Sequence, residues 1–519
     1  MQEWFRISLQ RYLLYSKKPV TSKGIEENVW KALLAESVLF LICYVLYCAV
    51  KSHCKETKEI LMLALPSVLC LAVTMNTFYQ MEPDRYVSHK LYRDVAGEHN
   101  EQAVKEALKN DGGYYRTEQM GNDDENAADL NRIWDAGQNI TSIYSSAYNS
   151  EYQTFRQKTF GLEEPFRNVM MQSVSKNPVF CRMMGVRYIV SDSDVTGYAL
   201  VKKCEKTGIY QNNDAAPVMY ATDRVMTEKE YNKLAFPYNQ TAFLEYAVVG
   251  EHTESSDQNI MTAYTPVSLK MADNHKAQNG AGNRTTDIGK KNGNERKVGT
   301  WIHEKEDGWK IHAKKIKKIT FSIRQVQQET TQQEGQRQIL FLSFRVDNAR
   351  PNKDVAVWIN GIRNKLSAKD HVYYNENKTF IYAVPLKEWR RYYFCNIWQR
   401  KISIKPCTGI SCSLPERSKT LYQSEVQVDK KLTKDNVIQG TIQVKNDGWF
   451  ITSIPYDTHF KMYIDGKETK IQKVNTAFLG CEIGSGKHEV RIVYHAPGAT
   501  EGKVFSMIGI VGFVLLLVL

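Results

Sequence analysis

Residues 460–466 read FKMYIDG and residues 355–361 read VAVWING, and both stretches carry the same two local signals. Apolar and polar side chains alternate along each stretch, which predicts a β-strand with one buried face. An Asp-Gly or Asn-Gly pair then follows, which is the strongest short signal for a two-residue hairpin turn of type I′. This degenerate repeat predicts two β-rich, β-sandwich-like modules, at residues 298–440 and 441–503.

Further strands fit the same modules. Residues 339–346 and 448–454 are apolar enough to be corresponding inner strands, and residues 488–494 (HEVRIVY) alternate again. The aromatic side chains of these modules could stack on sugar rings, although packing in a protein core is their commoner role.

The sequence changes character on the N-terminal side of the β-rich modules. Residues 251–297 are rich in Asn, Gly, Lys, Thr and Asp and poor in large apolar residues, so we expect a polar linker there. Residues 79–250 alternate between helical and strand-like patterns, which predicts an α/β module. Within it, residues 186–190 read as a short buried strand, and residues 101–109 and 227–234 read as helices. Thr227 and Glu230 have the spacing of a capping box at the start of the second helix.

Both ends of the chain are apolar. Residues 30–50 (WKALLAESVLFLICYVLYCAV) and 60–78 (ILMLALPSVLCLAVTMNTF) are each long enough to cross roughly 30 Å of hydrocarbon. Residues 504–519 (VFSMIGIVGFVLLLVL) stop without a basic flank and are interpreted as a truncated third span. Residues 1–29 mix aromatic, apolar and basic residues, which predicts an interfacial segment. The expected fold is membrane-anchored α+β, and the chain looks incomplete at both ends.

The side of the membrane is not decided by charge. A count of Lys and Arg beside the first two spans favours the cytoplasm for the large polar region, but long domains translocate largely regardless of charge. Cys407 and Cys412 could bridge a tight loop in an exported protein, although unpaired structural thiols are the preferred interpretation.

Composition excludes several classes of function. The net charge of +12 is diffuse and is accompanied by no nucleic-acid-binding motif, so no nucleic acid is expected as a partner. The sequence also has no Walker loop, no dinucleotide-binding glycine pattern, no HExxH and no GxSxG, and no metal site is predicted.

An ordered set of phrases resembles the YfhO family of bacterial membrane proteins, which are similar to the GT-C class of lipid-sugar-dependent glycosyltransferases. The phrases are NITSIYSS (139–146), RNVMMQSVSKNP (167–178), MGVRYIVS (184–191), IYQNNDAAPVMY (209–220), GWFITSIPYDTHFKMYIDG (448–466), NTAFLG (475–480) and HEVRIVYHAPG (488–498). The resemblance covers about residue 30 to the C-terminus, and residues 251–297 match it poorly.

The resemblance implies a multi-pass cell-membrane protein whose large region is extracytoplasmic. It further implies transfer of a sugar from a polyprenyl-phosphate donor to a cell-envelope polymer such as teichoic acid, with any need for a divalent metal left open. GT-C enzymes carry their catalytic carboxylate in a loop among early spans that this chain does not contain, so no catalytic residue is assigned.

Eight residues are candidates for substrate binding. Two follow the second predicted span, where they could meet a lipid phosphate. Four mix aromatic, amide and cationic groups as sugar sites do, and the last two, which follow Pro165, could contact an anion. A solvated helix end or a packed loop is the commoner role for the first six of these residues, and a helix start explains Arg167 and Asn168 equally well. The candidates are Asp84, Arg85, Arg132, Trp134, Asn139, Tyr144, Arg167 and Asn168.

Two functions remain open at this point. The first is the C-terminal portion of a GT-C-type glycosyltransferase, whose partners are the lipid bilayer, a polyprenyl-linked sugar and an anionic cell-wall polymer. The second is a non-catalytic, membrane-tethered module that binds glycan or another partner.

Overall fold

The structure is a computed structural model in which contacts divide the chain into two units, Met1–Glu98 and His99–Leu519. In the first unit it describes single positions only, so the predictions for residues 1–29 and 30–78 lie outside the described part. In the second it describes residues 99–120, 137–141, 149–161, 176–192, 194–195, 197–204, 207–250, 264–271, 301–305, 308–312, 317–325, 338–348, 350–359, 362–371, 374–386, 393–398, 401–404, 408–413, 421–422, 424–434 and 436–518.

The helices and strands of this part follow one another in chain order. They are α1 (Glu98–Leu108), β1 (Arg116–Met120), α2 (Ser150–Phe160), α3 (Pro178–Met183), β2 (Val186–Ser191), β3 (Ala199–Cys204), β4 (Thr207–Gln211), β5 (Met219–Thr222), β6 (Val225–Thr227), α4 (Glu228–Tyr231), α5 (Tyr238–Thr241), a 3-10 helix (Ala242–Leu244), β7 (Ala247–Val249), β8 (Tyr264–Met271), β9 (Trp301–Lys305), β10 (Gly308–His312), β11 (Lys317–Gln325), β12 (Gln338–Asn348), β13 (Val355–Ile359), β14 (Ile362–Leu366), β15 (Thr379–Leu386), β16 (Tyr393–Trp398), β17 (Lys401–Ile404), β18 (Thr408–Ser413), β19 (Ser424–Glu425), β20 (Gln427–Val428), β21 (Val437–Val444), β22 (Gly448–Pro455), β23 (Phe460–Ile464), β24 (Lys467–Thr469), β25 (Gln472–Val474), β26 (Phe478–Ile483), β27 (Gly486–Tyr494) and α6 (Ala499–Val518).

A four-stranded sheet forms the first layer, in the order β1-β2-β4-β3. Strands β1 and β2 are parallel, and the other two neighbouring pairs are antiparallel. Helix α1 packs on this sheet, because Val104 and Leu108 share a buried cluster with Tyr188, Val190 and Ile209. The predicted strand at 186–190 and the predicted helix at 101–109 are both found here.

The predicted capping box is present at the start of α4. The Thr227 hydroxyl accepts a hydrogen bond from the backbone N–H of Glu230, and the Glu230 carboxylate accepts one from the backbone N–H of Thr227. These two bonds satisfy N–H groups that the first helical turn leaves without partners. The α-helix ends at Tyr231, earlier than the predicted limit of 234.

The largest sheet has eleven strands, in the order β14-β13-β16-β11-β8-β18-β12-β17-β10-β9, with β15 paired to β12. The predicted hairpin at 355–361 is confirmed, because β13 and β14 are antiparallel and Ile359 pairs with Ile362. The prediction of a linker over all of residues 251–297 is wrong for Tyr264–Met271. That strand alternates polar and apolar residues weakly, but it pairs with β11 and β18 inside the sheet.

Two five-stranded sheets make up the C-terminal part of the fold. Their orders are β19-β5-β22-β26-β25 and β20-β21-β27-β23-β24, and one hydrophobic core takes residues from both. The second predicted hairpin is confirmed, since Ile464 pairs with Lys467 and the turn residues Asp465 and Gly466 have φ of 52° and 76°. The predicted boundaries of this module need correction, because β5, β19 and β20 come from outside residues 441–503.

The reason for the correction is long-range pairing. Strand β5 lies in the predicted α/β module, yet Thr222 pairs with Trp449 and Tyr220 with Ile451. One buried cluster includes Phe155 of α2, Val186 of β2, Phe341 of β12 and Phe478 of β26. Regions that the sequence separates into modules therefore share a core.

Helix α6 carries large apolar side chains that are exposed along its length, among them Val504, Phe505, Ile508, Val511 and Phe513. The predicted helical conformation of residues 504–519 is found as far as Val518. No helix in the described part of the chain has both the length and the hydropathy that a membrane crossing needs. The three predicted spans thus stay predictions.

Candidate functional site

An open groove of about 300 Å³ lies where the end of β12 meets the loops on either side of the β13–β14 hairpin. We call it the basic groove, and it is lined by Arg345, Val346, Asp347, Asn348, Pro351, Leu366, Ser367, Lys369, Tyr374 and Lys378. Its volume is at the lower end of the range of roughly 300–1,000 Å³ for small-molecule sites.

The walls of the groove are held by side chain-to-backbone hydrogen bonds. The Asn375 carboxamide oxygen accepts from the backbone N–H of Ser367 at 3.0 Å, and its amide nitrogen donates to the Lys365 carbonyl at 2.8 Å. On the facing loop, the Asn348 amide donates to the Lys353 carbonyl at 2.7 Å. Loops fixed in this way present a site that needs little reorganisation on binding.

The two loops are also joined to each other. The Asp354 carboxylate accepts the backbone N–H of Ala368 at 2.7 Å and lies 3.3 Å from the ammonium of Lys365. The backbone N–H of Lys369 donates to the Pro351 carbonyl at 2.7 Å. As a result, the backbone beneath Lys369 is fixed while its side chain is exposed.

Cations dominate the lining of the basic groove. Arg345, Lys369 and Lys378 are exposed, whereas the only carboxylate among the lining residues is that of Asp347, 3.6 Å from the Arg345 guanidinium. The Arg345 side chain is 61% exposed, so this ion pair is weak and the guanidinium stays available to a ligand. Tyr374 adds a partly buried aromatic ring. The described lining thus suits a ligand that carries an anionic group and also has a flat face on which the ring of Tyr374 can stack.

The lining offers little for catalysis. General acid–base or glycosyl-transfer chemistry needs a carboxylate pair or a base beside the reacting hydroxyl, and the basic groove has Asp347 alone. Among the described residues, no three or more His, Cys, Asp or Glu side chains are grouped as metal ligands would be. The lining of the basic groove can hold a charged ligand.

Of the eight predicted binding residues, the structure describes Asn139 alone. Its backbone oxygen accepts from the Thr117 N–H at 2.8 Å, and its side-chain amide donates to the Tyr115 carbonyl at 3.2 Å. These bonds attach the segment 137–141 to the edge of β1. The seven other candidates lie outside the described residues, namely Asp84, Arg85, Arg132, Trp134, Tyr144, Arg167 and Asn168.

A second group of polar side chains lies inside the protein, around β1. The Arg116 guanidinium donates to the Met184 carbonyl at 2.7 Å and to the Ser453 hydroxyl and carbonyl at 2.6 and 2.9 Å. The buried Glu118 carboxylate accepts the backbone N–H of Thr141 at 2.7 Å. Burial lowers the pKa of Arg116, and it raises the pKa of Tyr152 to about 12, so the Tyr152 hydroxyl stays protonated at neutral pH. This polar network joins β1 to the segments that carry Thr141, Met184 and Ser453.

Sequence reasoning missed the basic groove. Arg345 ends a strand that was recognised for its apolar residues, and Lys369, Tyr374 and Lys378 lie in the stretch KDHVYYNENK (369–378). The mixture of Lys, Tyr and Asn between two strands was an available signal. Only the fold shows that this stretch faces Arg345.

A family model for the bacterial membrane protein YfhO matches residues 7–506. The match covers most of the chain and includes every strand of the four sheets described above. The chain belongs to the YfhO family. It is therefore a bacterial membrane protein, in agreement with the resemblance read from the sequence.

Other comparisons add no argument. No curated protein matches this chain. The arabinofuranosyltransferase AftD from Mycobacteria is similar at 7% identity and a TM-score of 0.14, over 29% of this chain and 12% of the length of AftD. A cupin 2 conserved barrel domain protein from Leptotrichia buccalis is similar at 10% identity and a TM-score of 0.10, over 40% of this chain and 92% of that protein. Likeness at these scores carries no conclusion about fold or function.

Proposed function

We propose that the chain is part of a GT-C-type membrane glycosyltransferase in which the basic groove holds an anionic cell-envelope polymer such as teichoic acid. The sugar would come from a polyprenyl-phosphate donor in the bilayer. In this proposal α6 enters the membrane and the sheets are extracytoplasmic, in a multi-pass protein. Membership of the YfhO family supports the membrane location, and the resemblance to GT-C enzymes supports the chemistry.

The observation that carries the polymer-binding part is the charge of the basic groove. The exposed side chains of Arg345, Lys369 and Lys378 line the groove, whose loops are held by hydrogen bonds. The Arg345 guanidinium can form two parallel hydrogen bonds to a phosphate. A chain of repeating phosphates and sugars offers both groups that this lining suits, because the phosphates meet the cations and the sugar faces meet Tyr374. Binding of this kind weakens as ionic strength rises.

A binding titration tests the groove. The full chain in detergent micelles is titrated with poly(glycerol phosphate), and the double variant Lys369→Gln with Lys378→Gln is compared with it. We expect the Kd to rise about tenfold, because two contacts worth roughly 0.5–1 kcal/mol each are lost.

The matched control replaces two exposed lysines that lie on another sheet, as Lys445→Gln with Lys467→Gln. It makes the same change in net charge, so it should leave the Kd within about twofold. Equal weakening by both double variants would mean that the polymer responds to net charge only, and the groove would be rejected as the site.

A second function is favoured by the lining itself, which has groups for binding and no carboxylate pair. In this alternative the chain is a non-catalytic, membrane-tethered module that grips glycan. The two are separated by supplying membranes containing this chain with a radiolabelled polyprenyl-phosphate sugar and the polymer. Label in the polymer above a vector-only membrane supports the transferase, whereas binding without label supports the module.

A further inference from the structure

Three loops meet at one end of the five-stranded sheet β20-β21-β27-β23-β24. They precede β21, precede β23 and follow β27, as the pairing of Val437 with Val493 and of Phe460 with Tyr494 requires. The loops are also joined directly. The Asn436 side-chain amide donates to the Tyr494 carbonyl at 2.7 Å, and the backbone N–H of His495 donates to the His459 carbonyl at 2.9 Å.

Helix α6 leaves from this same end. Only residues 495–498 separate β27 from Ala499, and this short connection turns, because the Ala499 N–H donates to the Ala496 carbonyl at 3.2 Å. Four residues span at most about 14 Å even when fully extended. The exposed apolar side chains of α6 begin at Val504, one residue after Lys503. The three loops therefore lie within a short distance of the apolar part of the helix.

The loop before β21 presents lysines around an exposed leucine. Lys430, Lys431 and Lys434 are exposed and Leu432 is 52% exposed, and we call residues 429–434 the lysine loop. The carboxylate of its acidic residue is engaged within the loop, since Asp429 accepts the backbone N–H groups of Lys431 and Leu432 at 2.8 and 3.2 Å. All three lysine side chains are exposed on this fixed turn, and the Lys430 ammonium also lies 3.5 Å from the Asp111 carbonyl oxygen.

The next loop has the same organisation. The Asp457 carboxylate accepts the backbone N–H of His459 at 2.9 Å and lies 2.7 Å from the ring Nδ1 of the same residue. Its charge is thus engaged within the loop. The exposed His459 and His495 add to the polar surface at this end of the sheet.

We propose that the lysine loop lies on the membrane surface, with Leu432 in the interface and its three lysines on anionic lipid headgroups. The proposal rests on the membrane location of α6 given under the proposed function. A lysine near an anionic bilayer gains electrostatic attraction over about one Debye length, and one exposed apolar side chain adds to it. The bond from Asn436 to the Tyr494 carbonyl and the short connection to α6 keep the loop at the end of the sheet from which this helix leaves.

Lysine labelling tests this surface in the full chain. The protein is reconstituted into vesicles of phosphatidylcholine alone or with phosphatidylglycerol, and its lysines are acetylated from the outside and quantified by mass spectrometry. We expect Lys430, Lys431 and Lys434 to react severalfold more slowly in the anionic vesicles. The matched controls Lys445 and Lys467 lie at the opposite end of the sheet, where Val444 pairs with Gly486 and Ile464 with Lys467, and their rates should not change.

Flotation of the same vesicles separates two kinds of failure. In one outcome the protein floats with the vesicles, but the acetylation rates of the three lysines, like those of the controls, do not differ between neutral and anionic vesicles. The protein is then attached to the membrane, and the lysine loop is not at its surface. If the protein does not float, the proposed membrane location of α6 fails, and this inference fails with it.

A variant provides an independent readout. Replacing the three lysines by glutamine should remove the difference between neutral and anionic vesicles at Leu432, measured as protection of peptide 429–434 from hydrogen exchange. The variant Lys445→Gln with Lys467→Gln should retain that difference. Protection that persists in the triple variant would overturn the role assigned to the lysines.

Discussion

Single side chains that tie loops to strands are the first scale at which this fold can be tested, and Asp111 is the clearest case. It follows α1, and its carboxylate accepts the Gly113 backbone N–H at 2.9 Å, the Tyr188 hydroxyl at 2.8 Å and the Arg187 guanidinium at 3.1 Å. Burial opposes ionisation of this carboxyl, but the bonds from Gly113, Tyr188 and Arg187 outweigh it and lower its pKa.

We predict that Asp111→Asn destabilises the protein at pH 7 and loses its effect in acid. A carboxyl whose pKa is lower in the folded state stabilises the fold above its unfolded pKa of about 4, and this contribution is lost as pH falls through the folded value. The free energy of unfolding, measured by urea titration from pH 7 to 3, should therefore converge for the wild type and the variant. The exposed carboxyl of Asp370 gives the control, since Asp370→Asn should change the free energy little at any of these pH values.

Residue-level signals were readable in the sequence where both partners are close in the chain. The capping box of Thr227 and Glu230 spans three residues and was predicted correctly. The bonds of Asp111 to Tyr188 and of Arg116 to Ser453 join residues far apart in the chain, so no local pattern contains them. The basic groove belongs to this second kind, because only the pairing of strands in the sheet brings Arg345 close to Lys369 and Lys378.

Hairpin turns are the elements in which sequence and structure agree most closely. The turn between β23 and β24 needs left-handed backbone at both of its central positions, and Gly466 has φ of 76°. A Cβ added at Gly466 would meet no atom within 4 Å, so the cost of a side chain there is conformational rather than steric.

We predict that Gly466→Ala destabilises the fold by about 1–2 kcal/mol, the usual cost of left-handed backbone for a residue with a Cβ. Gly466→Asn should cost less, because asparagine tolerates this conformation better than alanine. Urea unfolding followed by tryptophan fluorescence measures both values. Equal losses for the two variants would show that the backbone conformation is not the source of the cost.

Strands that pair over long distances are the elements that the sequence did not reveal. Strand β8 is flanked on both sides by sequence with the composition of a linker, and β5 lies among residues whose pattern predicts an α/β module. Their places in the sheets are determined by partners that lie far along the chain. The first residue of β11 is more than 45 residues from that of β8, and the first residue of β22 is more than 220 residues from that of β5. A window of local sequence contains no information on such partners.

The whole molecule is the scale at which these long-range pairs matter. The ring of Phe478, in β26, lies 5.0 Å from that of Phe155 and 5.9 Å from that of Tyr152, both in α2. Phe478 is fully buried, and its cluster also takes in Ile339 and Phe341 of β12. Packing of this kind couples the C-terminal sheets to α2, so we expect these elements to lose their structure together.

We predict that Phe478→Ala destabilises the protein by about 3–5 kcal/mol, the cost of removing a large buried aromatic side chain, and that the loss spreads beyond its own sheet. Hydrogen exchange followed by mass spectrometry should show faster exchange in α2 as well as in β26. The control is Phe460→Ala, because Phe460 is partly buried at the start of β23, packs against Tyr494 at 4.8 Å and belongs to a different buried cluster from α2. Faster exchange confined to β26 and its neighbours would mean that the C-terminal sheets unfold independently, as the module boundaries read from the sequence suggest. Exchange that rises together in α2 and β26 would instead show that the shared core, rather than the order of the modules along the chain, determines the unit of stability.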